Sequence, residues 1–264
     1  MEKITSVANE KIRHLIQLRD KSSVRRSERK FIIEGFREVE RALASGLKFT
    51  QAYWCPKYDK ENRLQNLNLS GNQITEIGES VFAKLAYREF SDGIIIVAEF
   101  PDISLNRCSL PQNPLILVVE AIEKPGNLGA IMRTVDAAAI DLVIICDPLA
   151  DVFNPNVIRS SIGCIFSSQI AVCNSHEALQ YLKEKGIQIF AAVLSETANT
   201  YTEQSYENGS AIVVGTEATG LTDIWTTGAD SHVMIPMRGI ADSLNVSVSA
   251  AIIIFEALRQ RVTK

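Results

Sequence analysis

Apolar and polar positions alternate along this chain in two registers, one after the other. Residues 9–20 set Ile12, Leu15, Ile16 and Leu18 among charges, which predicts an amphipathic helix after an Asn9 cap. Arg25-Arg26-Ser27-Glu28-Arg29-Lys30 then predicts a loop, and Phe31-Ile32-Ile33-Glu34 a short strand. A helix follows with Phe36, Val39 and Leu43 inward and Gly46 closing it. Further strands are expected at 49–55, 73–77 and 93–98. The stretch Phe100-Pro101 to Asn113-Pro114 holds three prolines and little periodicity, and is expected to be a linker. Beyond it Leu115-Ile116-Leu117-Val118-Val119 reads as a parallel strand buried on both faces. A turn with Pro125, Gly126 and Gly129 leads to a helix near 129–139. Strands follow near 142–146, 188–194, 211–214 and 233–235, with helices near 155–162, 175–185, 221–227 and 246–262. The pattern predicts an α/β protein: a smaller α/β domain over 1–100, a linker over 101–114, and an α/β domain with a mostly parallel sheet over 115–264.

Composition narrows the function. The chain has 264 residues, enough for two ordinary cores, and no run of 18 uncharged apolar residues that would span a bilayer. The N-terminus turns polar by Asn9-Glu10-Lys11 without an apolar signal core, so a cytoplasmic protein is expected and the sequons at Asn68, Asn208 and Asn245 are idle. Five scattered cysteines without a C-x-x-C pair read as reduced core thiols, and three distant histidines offer no metal-ligand spacing. The net charge of −4 is unevenly shared: residues 1–110 carry 18 basic and 15 acidic side chains, the remainder 9 and 16. Nine of the basic ones lie within residues 1–30. Arg25, Arg26, Arg29 and Lys30 are therefore candidate phosphate contacts, although a solvated connection has the same composition.

Ligands of open α/β sheets bind at the carboxyl ends of strands, which directs attention to three loops. The first is Glu123-Lys124-Pro125-Gly126-Asn127-Leu128-Gly129-Ala130-Ile131-Met132-Arg133-Thr134, the second Gly215-Thr216-Glu217-Ala218-Thr219-Gly220-Leu221. The third runs Ile235-Pro236-Met237-Arg238-Gly239-Ile240-Ala241-Asp242-Ser243-Leu244-Asn245-Val246-Ser247. Each is ambiguous alone. Gly215 to Gly220 has phosphate-loop spacing, but Leu221 stands where lysine is needed. Gly126 and Gly129 lack the third glycine of a dinucleotide fingerprint. Asn127 also suits a helix cap, and Arg133 an ordinary exposed charge.

In this order and spacing, the three loops resemble the signature motifs of the SpoU/TrmH family of RNA ribose 2′-O-methyltransferases, in the SPOUT superfamily. Residues 9–35 are similar to the substrate-binding domain often fused ahead of that catalytic domain. Lys124-Pro125 and Ala138-Ala139 depart from the family's Asp-Pro and Phe-Gly. The resemblance implies a trefoil-knotted C-terminal domain that binds S-adenosylmethionine through Gly215, Ile235 and Leu244, with Leu194 a further candidate. It also implies Arg133 at the 2′-hydroxyl, with Asn127, Glu217, Ser243 and Asn245 as a polar shell. A homodimer acting on RNA is implied too, ribosomal RNA ahead of transfer RNA, with no metal and no membrane. The alternatives are a tRNA ribose methyltransferase and a non-catalytic RNA-binding protein that kept the fold.

Overall fold

The computed structural model describes residues 2–87, 92–195, 197–216 and 219–262. Two compact units divide the chain: one formed by residues 1–101 with 153–167, the other by 102–152 with 168–264.

The first unit contains β1 (Glu2–Ile4), α1 (Glu10–Asp20), α2 (Ser22–Glu28), β2 (Lys30–Glu34), α3 (Phe36–Ala44), β3 (Phe49–Trp54), β4 (Ile74–Ile77), α4 (Glu79–Leu85) and β5 (Ile94–Glu99). Its sheet has the order β1-β4-β3-β5-β2, parallel at β1–β4–β3 and antiparallel where β5 meets β3 and β2. Asn9 does cap α1, its side chain accepting from the Lys11 N–H at 2.9 Å. Ile12, Leu15 and Leu18 of α1 then meet Ile32, Val97 and the Val81–Phe82–Leu85 face of α4 in one core. On α3 the inward position falls to Ala42, and Leu43 is exposed, contrary to the apolar spacing. Gly46, at φ +78°, closes α3 through Gly46 N–H to Leu43 and Leu47 N–H to Ala42 bonds.

Two expectations need correction here. The run Arg25 to Lys30 is not a loop: α2 continues to Glu28, Arg29 is its left-handed cap, and Lys30 opens β2. Arg25 is buried, and its Nη1 donates to the carbonyls of Leu18 (2.6 Å) and Arg19 (2.8 Å). Those are orphan acceptors at the end of α1, and a guanidinium satisfies them where an apolar side chain cannot. Arg25 is therefore a structural residue, while Arg26 and Arg29 are exposed. The helix near 155–162 also belongs elsewhere than expected. As α6 (Pro155–Ser160) it is part of the first unit, where Phe153 stacks on Phe31 at 4.5 Å and Arg41 donates to the Ile162 carbonyl.

The second unit contains β6 (Leu115–Glu120), α5 (Pro125–Ala137), β7 (Leu142–Cys146), β8 (Ile170–Cys173), α7 (Ser175–Glu184), β9 (Gln188–Ala192), β10 (Asn199–Thr200), β11 (Ser210–Val214), α8 (Asp223–Gly228), β12 (Ser231–Met234) and α9 (Val246–Val262). The sheet order is β10-β12-β9-β11-β6-β7-β8, and every described pair is parallel. β6, β7 and β11 are buried at every position, as their continuous apolar runs require. Alternate residues of these strands pack with Ala178 and Leu182 of α7 and Trp225 of α8. α5 packs along α9, and α9 against β11. α5 starts earlier than the glycines suggest, with Pro125 in its first turn, so Gly126 and Asn127 are helical.

α5 ends in the same motif as α3, with Ala139 N–H bonded to Asp136 and Ile140 N–H to Val135. Here the left-handed position, φ +49°, is filled by Ala139. This gives the Ala138-Ala139 departure a physical meaning, since a Cβ is strained in that conformation and glycine is not. Ala139→Gly should stabilise the protein by about 0.5–1 kcal/mol and raise the melting temperature by roughly 1–4 °C. Calorimetry showing no rise would mean that the strain is relieved elsewhere.

Candidate cofactor and catalytic site

A cavity of about 430 Å³ opens at the carboxyl ends of the adjacent strands β11, β9 and β12. The volume is that of a small-molecule site. β9 contributes Ala192 and runs on into Val193 and Leu194; β11 contributes Val214 and runs on into Gly215 and Thr216. β12 supplies Val233 and Met234, followed by Ile235 and Met237, and α9 closes the floor with Val246, Ser249 and Ile253. Gly215, Ile235, Leu244 and Leu194, the four cofactor candidates, all line this cavity, and so does Ser243. Leu194 is two-thirds exposed at its rim.

The second loop is folded on itself. Thr216 and Gly220 exchange backbone hydrogen bonds at 3.2 and 3.1 Å, and the Thr216 and Thr219 hydroxyls meet at 2.8 Å. A Cβ on Gly215 would lie 2.4 Å from the Gly220 carbonyl oxygen and 2.8 Å from the Leu221 nitrogen. Only glycine allows that approach of backbone to backbone, which is what the spacing Gly215 to Gly220 encodes.

The first and third loops meet at Asn127 and Asn245, whose side chains are joined by an Asn245 Nδ2 to Asn127 Oδ1 hydrogen bond of 3.2 Å. Asn245 also starts α9, its Oδ1 accepting from the Ser247 N–H (3.0 Å) and hydroxyl (2.6 Å). Arg133 lies six residues beyond Asn127 on α5, about 9 Å further along its axis. It is exposed, and among the described residues it makes no hydrogen bond or ion pair. The structure therefore joins Asn127 to Asn245 and gathers Ser243 with the four cofactor candidates, but holds Arg133 to none of them. Glu217 lies outside the described residues.

Among the described residues the cavity lining carries no charged side chain. Its polar groups are hydroxyls (Thr216, Thr219, Thr226, Ser243, Ser249) and main-chain amides, set in apolar walls. That suits a flat, neutral base and an apolar chain; a phosphate would need a cation that these walls lack. Thr226, Ser249 and Ile253 were not singled out from sequence. The i, i+3, i+7 spacing of Val246, Ser249 and Ile253 carries the signal for the α9 face. Glu120, the acidic end of the β6 apolar run, also escaped notice. None of the five cysteines is in a disulfide, and a hydrogen bond with Cys173 together with burial pushes the Cys146 thiol up, away from nucleophile chemistry. Among the described residues no group of three His, Cys, Asp or Glu is placed to hold a metal, and no helix is long and apolar enough to cross a membrane.

A parallel α/β sheet with a cavity beyond its strand ends places this chain in the class of open-sheet proteins that bind a small molecule there. The chain belongs to the SpoU rRNA Methylase family, which residues 114–255 match, while residues 9–96 match the MRM3-like substrate binding domain. It is 30% identical to the 23S rRNA (guanosine(2553)-2′-O)-methyltransferase RlmP of Bacillus subtilis over 97% of this chain and 98% of that protein. A crystal structure of an RNA 2′-O ribose methyltransferase shares 39% identity at a TM-score of 0.84, covering 98% of this chain and 99% of its own. The AdoMet-bound rRNA methyltransferase from Sinorhizobium meliloti superposes with a TM-score of 0.88 at 25% identity, over 98% and 97% of the two chains.

Proposed function

We propose that this protein transfers a methyl group from S-adenosylmethionine to a ribose 2′-hydroxyl of ribosomal RNA. The observation that carries the reading is the cavity at the ends of β9, β11 and β12, built from the second and third family loops and lined among the described residues by no charged side chain. The choice of ribosomal RNA is supported by relatives of that description aligning along nearly the whole chain. When bound, S-adenosylmethionine supplies an electrophilic methyl carbon on a sulfonium. Main-chain groups of Gly215, Ile235 and Leu244 hold the adenine, and Leu194 covers it from the rim. Arg133 orients the 2′-hydroxyl and stabilises negative charge growing on its oxygen. A guanidinium stays protonated, so the proton leaves to a neighbouring group or water. Asn127, Asn245, Ser243 and Glu217 form the polar shell that fixes the ribose.

Residues 1–101 joined by 153–167 serve as the RNA substrate-binding unit, and 102–152 with 168–264 as the catalytic unit, whose chain is threaded as a trefoil knot. Two copies pair, supported by Val248, Ala251, Ile252 and Phe255 on α9. These form an apolar stripe at i, i+3, i+4 and i+7 that is exposed or half-buried. The enzyme works in the cytoplasm.

Calorimetry tests the reading first: one S-adenosylmethionine or S-adenosylhomocysteine should bind per chain, and folded protein that takes up neither removes the enzyme reading. The RNA surface has its own test. Changing Arg26, Arg29 and Lys30 to Ala should weaken RNA binding and cut the slope of log affinity against log salt by up to about 3 units. Cofactor binding and melting temperature should not move. Adding Arg25→Ala should lower stability by about 1.5–3 kcal/mol, because it leaves the end of α1 without its charged donor. An unchanged salt slope in the triple variant would move the RNA surface elsewhere.

A further inference from the structure

Glu120 is a carboxylate at the inner end of an otherwise apolar strand, and it is 2% exposed. A buried charge is expensive unless several donors converge on it. Three do. The Thr222 N–H reaches Oε2 at 2.8 Å, while the Thr222 hydroxyl (2.7 Å) and the Ser175 hydroxyl (2.8 Å) reach Oε1. Ser175 opens α7; its N–H donates to the Asp147 carboxylate at 2.9 Å, and its single hydroxyl proton is shared between Asp147 Oδ2 (2.7 Å) and Glu120 Oε1. One buried side chain thus ties β6 to α7 and to the segment that follows the second loop.

Thr222 is the telling partner. It occupies the cap position of α8 with a side chain that makes no capping hydrogen bond, and its hydroxyl donates to Glu120. The loop Gly215–Leu221 is therefore pinned at both ends. Upstream it leaves β11, which is paired to β6; downstream it is held at Thr222 by the last residue of β6. Between the pins, Gly215, Thr216, Thr219, Gly220 and Leu221 form one wall of the cavity.

We infer that Glu120 is a positioning residue: through Thr222 it fixes the cavity wall formed by Gly215, Thr216, Thr219, Gly220 and Leu221, and so sets the affinity for S-adenosylmethionine without touching it. The inference rests on the cavity being the S-adenosylmethionine site. Glu120→Gln keeps the shape but removes the charge and turns one acceptor into a donor, so either the Thr222 hydroxyl must reverse from donor to acceptor or the Thr222 N–H goes unmet. Thr222→Val removes the hydroxyl while keeping the N–H bond, and Thr222→Ser keeps both.

The experiment is S-adenosylmethionine titration and methyl-transfer kinetics on all three folded variants and the unmodified protein. Glu120→Gln should weaken binding about tenfold or more and Thr222→Val several-fold. The loss should appear in KM for S-adenosylmethionine, with kcat at saturation within about threefold and Thr222→Ser close to the unmodified protein. Hydrogen exchange at Gly220 and Thr222 should quicken in the two impaired variants. Glu120→Gln and Thr222→Val that bind within twofold of the unmodified protein, even with a lower melting temperature, would reduce the network to a structural one and overturn the inference. An unmodified protein that binds no S-adenosylmethionine would instead bring down the assignment of the cavity. Should Glu120→Gln fail to fold, Thr222→Val decides alone.

Discussion

Replacing Arg133 with alanine should lower methyl transfer to RNA by roughly 10²- to 10³-fold, the loss typical of removing one donor from a developing oxyanion. Cofactor affinity should stay within about twofold, because Arg133 is not part of the cavity lining. Stability should move by no more than about 0.5 kcal/mol, since the side chain is exposed and has no partner among the described residues. An exposed guanidinium that has no partner among the described residues is available to a group outside the chain. Arg133→Lys should recover little, because an ammonium cannot present two parallel donors to a hydroxyl and a phosphate. A rate within threefold of the unmodified enzyme for Arg133→Ala, under ~0.7 kcal/mol of barrier, would transfer the role to another residue.

Gly215→Ala should be the most damaging single methyl group in the cavity. The new Cβ would sit 2.4 Å from the Gly220 oxygen and 2.5 Å from its carbonyl carbon, both backbone atoms that cannot swing aside. The hydrogen-bonded turn between Thr216 and Gly220 must open to admit it. Overpacking of this kind costs roughly 1–3 kcal/mol, and 2 kcal/mol taken wholly from binding is about a thirtyfold loss of affinity. Gly126→Ala is the matched control. Nothing lies within 4 Å of its Cβ and it stands in the first turn of α5, so S-adenosylmethionine affinity should be unchanged. Equal affinities for both alanine variants and the unmodified protein would mean that the loop around Gly215 is not a wall of the binding site.

The central strands were readable because burial on both faces forces unbroken apolar runs, as at Leu115–Val119 and Leu142–Cys146. β1, β8 and β10 were not, being edge strands of two to four residues that need no such run. α2 reads as a loop in the sequence because its inward residue is Arg25, a charge that serves two carbonyls and so is invisible to a hydrophobic pattern. The placing of 153–167 was also out of reach, because what Phe153 packs on is Phe31, more than a hundred residues earlier. At the site, Gly215, Ile235, Leu244 and Ser243 could be named from the family motifs alone. The bond between Asn127 and Asn245 could not, as nothing in either loop specifies the other. Glu120 was hidden by its position: an acidic residue closing an apolar run looks like the point where a strand reaches solvent.

The membership of residues 153–167 in the first unit has a consequence for how the chain comes into being. When residue 101 has been synthesised, the first sheet lacks Phe153 against Phe31 and the Ile162 carbonyl against Arg41. At 5–20 residues per second the ribosome needs roughly 3–13 s more to deliver residue 167. Throughout that interval the nascent first unit presents an unfinished aromatic face, and β6 and β7 of the second unit emerge before it is covered. The first unit therefore cannot be completed until part of the second has been synthesised, and a shortened chain ending near residue 101 inherits the exposed face permanently.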